Sequence, residues 1–391
     1  MAKRPNAEEE ARRRYGDFVA KTLKTRIPVI LKNAEEGLAD EAIRQLRAIG
    51  RAIEADAPMV MDVADWPFSG WEDMPARVNG KRPSQAPFFD FEYWMYFRML
   101  RAVRFDETGI DPFRLTKHRD LDKHLAWADA ELGKTKSLAD GLKLSLDANA
   151  HDLSQIAKPG SNHQFGGTLL DIEPTTLRRL NIIADNFGAE FVGDLVLAIV
   201  AAEQGIETVL HVKQLPMFVS DTTVDDVTIL LDRTGKTAFG ERLSAAVRVG
   251  TIRFASHPFW AAPQFFDGLP ADELGTGSGV LSVLKGDLNF RRAIGDVSVP
   301  IETPFADLAV RPTAPLLSLR SIKSYCVAGV ADWPAGVSRT DFPMDGSIVA
   351  VQAIPAAGEP EPIASAQSSS DAAPPLRRAL RWLRRGASRQ V

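Results

Sequence analysis

From about residue 180 the chain settles into one repeating pattern, and this constrains the fold more than any other feature. In the first unit, Leu180, Ile182 and Ile183 have the length and residue types of a strand. A polar turn follows, and Phe191, Leu195, Ala198 and Ile199 then mark one face of a helix. Further strand-like runs occupy 207–213, 251–255, 280–284 and 325–329, and an apolar-periodic helix follows residue 223. Strands alternating with helices predict an α/β fold, a parallel sheet with helices on its faces.

In such a sheet, ligands bind outside the carboxyl ends of the strands. The first turn carries Asp185, Asn186 and Gly188. The two side chains offer hard oxygens that suit a divalent cation. The helix start beside them suits a phosphate. Asp-Asn before a helix is also an ordinary N-cap, and the turn alone does not choose. Ser220 and Asp221 end an apolar run about one βαβ step later, so adjacent strand ends can bring the two carboxylates together. Asp225 and Asp226 read as first-turn residues complementing a helix dipole. The glycine-rich 275–279 precedes a strand, the wrong order for a dinucleotide fingerprint, and reads as a plain loop. After the strand at 280–284, Gly286 allows close backbone approach. The N–H groups that follow, with Lys285, Asn289 and Arg291, could grip an anion. Cys326 is most simply a small core residue.

Residues 7–57 read as helices, with Pro28 marking a kink or restart. A loop-like stretch, 58–85, follows. Residues 87–100 are dense in aromatics at helical spacing and read as a buried helix packing its rings. Glu92 and Arg98 stand out in it; an internal ion pair would explain both, and either could reach a site. Helical character continues to about 142. Residues 144–146 could form a strand ending in a polar turn, where Asn149 and Asp152 are either ligand-facing or turn and capping residues. Residues 157–168 read as a flexible connection. The expected organisation is a helical N-terminal domain over 1–142, an α/β core over 143–354, a disordered linker over 355–375 and a basic amphipathic tail over 376–391.

Charge separates that tail from the body. Arg377, Arg378, Arg381, Arg384, Arg385 and Arg389 stand in a stretch without acids, so removing these six charges from the net −4 leaves −10 elsewhere. The tail could touch an acidic partner, nucleic acid or an anionic membrane surface, or fold back on the acidic body. The overall negative charge argues against bulk nucleic-acid binding. One cysteine among 391 residues excludes an internal disulfide framework and fits a reducing, cytoplasmic setting. The polar N-terminus is not a signal peptide, and no apolar run has transmembrane length.

The run from Asp185 to Asp194 resembles the metal-binding signature of the damage-control phosphatase family, one of whose members was described as an acidic-residue methyltransferase. Residues 211–216 with 219–221, then 257–260, 285–291 and 320–323, are similar to the family's later motifs, in the same order. The resemblance covers roughly 15–352. It implies a three-layer α/β/α Rossmann-like core with a helical N-terminal portion. It implies that Asp185, Asn186 and Asp221 hold a divalent cation (manganese, cobalt, nickel or magnesium). It implies a substrate-phosphate loop of Gly286, Asp287, Leu288, Asn289, Phe290 and Arg291, with Asn149, Glu190, Arg320 and Lys323 also at the substrate. Two departures stand out: Ser321 replaces a threonine, and 147–150 reads Asp-Ala-Asn-Ala where the family commonly has Trp-Gly-Asn-Lys.

The expected activity is metal-dependent hydrolysis of small phosphate esters, such as fructose 1-phosphate. Phosphoryl transfer is mostly positioning and charge stabilisation, which two carboxylates, an amide and several cations can supply. Asp185 or Asp221 would orient an attacking water; a covalent aspartyl-phosphate is the alternative. An S-adenosylmethionine-dependent carboxyl methyltransferase is disfavoured, since no glycine-rich strand-to-helix loop suits that cofactor. A non-catalytic ligand-binding protein is the third possibility.

Overall fold

The structure, a computed structural model, describes residues 7–149, 164–166, 177–270, 272–277, 279–308, 312–330 and 333–354. Asp152, most of 157–168, the linker and the basic tail lie outside them.

Seven strands form one sheet: β1 (Gln164–Gly166), β2 (Arg179–Ile183), β3 (Glu207–His211), β4 (Ile252–Ala255), β5 (Val280–Lys285), β6 (Leu316–Ser321) and β7 (Ile348–Ile354). Their order is β1-β7-β6-β5-β2-β3-β4. Strands β2 to β6 are mutually parallel, whereas β7 runs antiparallel to β6 with β1 parallel to β7. The strand after β2 goes to one side of it and β5 to the other. A topological switch point therefore lies between β2 and β5, where open α/β sheets bind ligands.

The helices are α1 (Ala7–Lys21), α2 (Ile27–Asn33), α3 (Asp40–Glu54), α4 (Met74–Val78), α5 (Phe88–Ala102), α6 (Phe105–Thr108), α7 (Arg114–Lys134), α8 (Leu138–Asn149), α9 (Ala189–Glu203), α10 (Val224–Thr234), α11 (Ala238–Val249) and α12 (Gly286–Ala293). Side chains alternate between sheet faces along a strand. Leu180, Ile182, Leu281, Val283, Leu317 and Leu319 pack with α7 to α11. Ile183, Leu284 and Leu316 pack on the opposite face with α1, α2, α3, α5 and α12. Both faces are covered, which is why the strands read as apolar runs rather than alternating ones. The three-layer α/β/α expectation holds.

Helices α8 and α9 cross closely. A Cβ at Gly193 would come within 2.9 Å of the Ala148 Cβ, so glycine sets the approach. The strand expected at 144–146 is instead the last turn but one of α8. Leu138, Leu142 and Leu146 recur every four residues and face the α9 layer. A short apolar run cannot be told from a buried helix without its flanks. A second correction concerns 325–329, which is buried but forms no ladder. The strand lies one run earlier, in β6, and the chain then returns antiparallel as β7.

The aromatic helix is α5, and its rings are buried as expected; Tyr96 lies 4.6 Å from Phe218, centroid to centroid. No Glu92–Arg98 pair forms. Glu92 bonds Arg291, and Arg98 lies over the Trp94 ring at 5.9 Å. Between α1 and α2, Thr22–Arg26 form a π-helical turn in which the Ile27 N–H bonds to the Thr22 carbonyl. Pro28 explains the widening: it has no N–H and its ring clashes with the carbonyl four residues back. Among the described residues, no helix is long and apolar enough to cross a membrane.

Candidate functional site

Strand β2 leaves the sheet through Ala184, Asp185 and Asn186. Asp221 reaches the same point by a route the sequence pattern did not show. It lies well beyond the end of β3, on a loop that folds back. Short bridges pair Lys213 with Thr223 and Asn186 with Asp221. The Thr222 N–H donates to the Asp185 carbonyl at 2.9 Å, and the Phe187 N–H to the Ser220 carbonyl at 2.6 Å. Two loops thus hold Asp185, Asn186 and Asp221 together at the switch point.

The polar contacts fix each of these side chains. The Asn186 Nδ2 donates to Asp185 Oδ2 at 2.9 Å and to Glu190 Oε2 at 2.8 Å. Carboxylates only accept, so they select the nitrogen end of the amide. Oδ1 then points the other way, accepting from Ser220 Oγ at 2.6 Å with a lone pair to spare. Lys213 Nζ lies 2.5 Å from Asp221 Oδ1 and 3.9 Å from Asp185 Oδ1. Gly286 has φ +77, and a Cβ there would stand 1.7 Å from Asp185 Oδ2. The close approach expected of Gly286 is real, but the group approaching is the Asp185 carboxylate.

These three side chains line a cavity of 60 Å³. That exceeds the roughly 10–15 Å³ one water needs and suits a small ion or a phosphoryl group. Asp287, Leu288, Arg291 and Lys323 also line it, as do Phe18, Arg26, Glu92, Tyr96, Phe218, Val219, Ser220 and Ser324. Asp185, Asn186 and Asp221 therefore share one cavity with two of the expected cations.

Six other expected site residues lie behind the wall. Glu190 is buried and holds Asn186. Asn149 Oδ1 accepts from the Ser321 N–H at 2.7 Å. Asn289 donates to the Lys285 carbonyl at 2.9 Å. Arg320 pairs with Asp287 and lies 3.6 Å over the Phe290 ring. Gly286 and Phe290 form backbone and packing. Lys285 does not grip an anion either. It is buried against Asp194 at 3.1 Å, Glu190 at 3.3 Å and the Ser145 hydroxyl at 2.8 Å.

On the cationic wall, Arg291 bonds Glu92 and Asp296, each at 2.6 Å. Its Nη2 is buried and hydrogen-bonds no described residue. Asp296 holds a left-handed φ of 54 while accepting from Arg291 and, at 2.7 Å, from the Tyr325 hydroxyl. Burial raises the Asp185 carboxyl well above the usual range; Lys213 opposes this, and Glu190 and Asp221 add to it. Burial likewise raises Glu92 against the pull of Arg291. Burial, and next the Arg26 guanidinium, bring the Lys323 ammonium down to about 7.

The donor chemistry fits a divalent cation at Asp185, Asn186 and Asp221. All three offer hard oxygens, two carboxylates are crowded together in a buried place, and the Asn186 oxygen is oriented away from the carboxylates that hold its nitrogen. Among the described residues, no three carboxylate, imidazole or thiol side chains are arranged to hold a metal ion by themselves; the amide oxygen is what completes this set.

Sequence reasoning missed Arg26 and left Glu92 open. Arg26 is far from every motif in the chain. Its one signal is Pro28, two residues on, since widened helical turns recur at functional sites. Glu92 had a signal, a charge in an apolar helix, but its partner is 199 residues away.

A family model for the damage-control phosphatase ARMT1-like domain matches residues 22–336. Damage-control phosphatase ARMT1 of Rattus norvegicus is 33% identical, with 81% of this chain and 90% of that protein covered. The Homo sapiens protein of the same name is 30% identical with the same coverage. The Danio rerio protein is 34% identical over 39% of this chain and 37% of its own length. A crystal structure of a DUF89 family protein from Pyrococcus horikoshii aligns with a TM-score of 0.43 and 13% identity, covering 86% of this chain and 97% of that one.

Proposed function

The chain belongs to the ARMT1-like damage-control phosphatase family, and from that premise we propose a metal-dependent hydrolase of small phosphate monoesters. One observation carries the reading. A buried, unsatisfied Arg291 nitrogen shares a cavity with a converging set of hard oxygens from Asp185, Asn186 and Asp221. That is the division of labour phosphoryl transfer asks for, anion grip on one wall and cation ligands on the other.

Asp185, Asn186 and Asp221 would hold the cation, with manganese, cobalt, nickel or magnesium as candidates. Bound there, it would polarise a phosphoryl oxygen and lower the pKa of a water. Arg291 and Lys323 stabilise charge on the equatorial oxygens. Glu190 keeps the Asn186 oxygen aimed at the cavity, and Arg320 keeps Asp287 at its wall. Asp185 or Asp221 orients the attacking water. The uncharged rings of Phe18, Tyr96 and Phe218 border the rest of the substrate. Sugar phosphates such as fructose 1-phosphate suit that arrangement.

The test is turnover of an aryl phosphate and of sugar phosphates with each metal in turn. Chelation and Asp185→Ala are each expected to lower kcat/KM by about a thousandfold or more, a loss of about 4 kcal/mol in transition-state stabilisation. Turnover that survives both changes would remove the metal role of Asp185.

A further inference from the structure

We infer that Arg26, carried into the cavity on the π-helical turn, is a third phosphate-binding cation, supplied by the N-terminal helices rather than by the sheet. The inference rests on the phosphatase reading for the identity of the anion, though not for the presence of an anion site.

Three observations support it. First, Arg26 lines the same cavity as Arg291 and Lys323, and its side chain makes no hydrogen bond or close ion pair with a described residue. A partly buried guanidinium carries five donors and cannot shed its proton, so it favours an anion beside it. It is close enough to act on both neighbours, Lys323 and Glu92, adding to the fall of the Lys323 pKa and opposing the rise that burial causes at Glu92.

Second, the backbone is built to place it there. In a regular α-helix Ile27 would bond to Leu23; here its N–H reaches Thr22, five residues back. The extra residue in this turn rotates α2 relative to α1. Pro28 and the Thr25 hydroxyl, which bonds the Lys21 carbonyl at 2.8 Å, both favour the distortion. A solvated surface arginine would need no such turn.

Third, the charges close. Arg26, Arg291 and Lys323 line the cavity; Lys213 and Arg320 pair with its acids. Against these five cations stand Glu92, Asp185, Asp221 and Asp287 in the lining and Asp296 paired to Arg291. The set is neutral with Lys323 charged. A divalent cation would add two positive charges, matching a phosphate monoester dianion with an uncharged remainder. Without Arg26 the balance falls one charge short.

The experiment titrates inorganic phosphate into the full chain, metal-free and manganese-loaded, by calorimetry, with the melting temperature recorded separately. Arg26→Gln is expected to weaken phosphate binding about tenfold or more while the ligand-free melting temperature stays put. Arg26→Lys is expected to recover most of the affinity. Unchanged phosphate affinity in Arg26→Gln overturns the inference. If Arg26→Gln also melts early, Arg26→Lys decides, and failure to recover affinity overturns it. The phosphatase reading fails differently: phosphate binds in an Arg26-dependent way, yet no monoester is turned over.

Discussion

At the residue scale, Lys323 shows how burial sets charge. Water is removed from around it, and Arg26 adds like charge, so its ammonium titrates near 7 rather than 10.5. In the proposed reaction the protonated form is the one that would hold the phosphoryl group, so kcat/KM is expected to fall as pH rises through about 7. Arginine keeps its proton, and Lys323→Arg is expected to lose that alkaline limb. An identical limb in both proteins would assign it to another group. Stability from this residue runs the opposite way. Between 7 and 10.5 the unfolded chain holds the proton that the folded chain has released, so stability rises with pH in that window. A lysine kept at this cost to the fold is consistent with a role in binding.

At the scale of elements, the loop bearing Asp221 is the part most in need of an anchor, because it extends far past the end of β3. Its exit is fixed by a capping box, in which Thr223 accepts from the Asp226 N–H and Asp226 accepts from the Thr223 N–H. Asp226 is in turn bonded by Lys117 of α7 at 2.5 Å, and Lys117 also bonds Asp111 at 2.8 Å. All three side chains are buried or nearly so, and removing the one cation would strand two acids. Lys117→Met is expected to destabilise the protein by about 3–5 kcal/mol in urea unfolding. A loss below about 1 kcal/mol would mean the pair behaves like an exposed one.

At the scale of the whole molecule, the cavity draws on loops at the ends of the sheet strands and on one helical layer, the one that holds α1, α5 and α12. The oxygens of Asp185, Asn186 and Asp221 come from the β2 turn and the β3–α10 loop, and the cations Arg291, Lys323 and Arg26 from α12, from just past β6 and from the N-terminal π-turn. A ligand that binds only the folded state stabilises it by mass action. Manganese is expected to raise the melting temperature of the native chain, by an amount that grows with concentration, and Asp221→Asn to lose most of that shift. An equal shift in the variant would place the ion elsewhere.

The sequence alone determined the strand–helix alternation, the parallel sheet, the buried aromatic helix and the residue types of the Asp185 turn. Those depend on period and turn chemistry, which are local. The family resemblance, carried by the order of the motifs, grouped Asp185, Asn186, Asp221, Arg291 and Lys323, which line one cavity. Tertiary structure decided what stands in the cavity and what stands behind it. Glu190, Asn289 and Arg320 have the same polar character as their neighbours, and only the direction of each side chain separates support from contact. It also brought in Arg26 and Glu92 from the N-terminal helices, because spatial neighbours separated by so much chain leave no periodic trace. The misread strands at 144–146 and 325–329 have the same cause: a short apolar run records burial, while a ladder needs a partner that the run itself does not name.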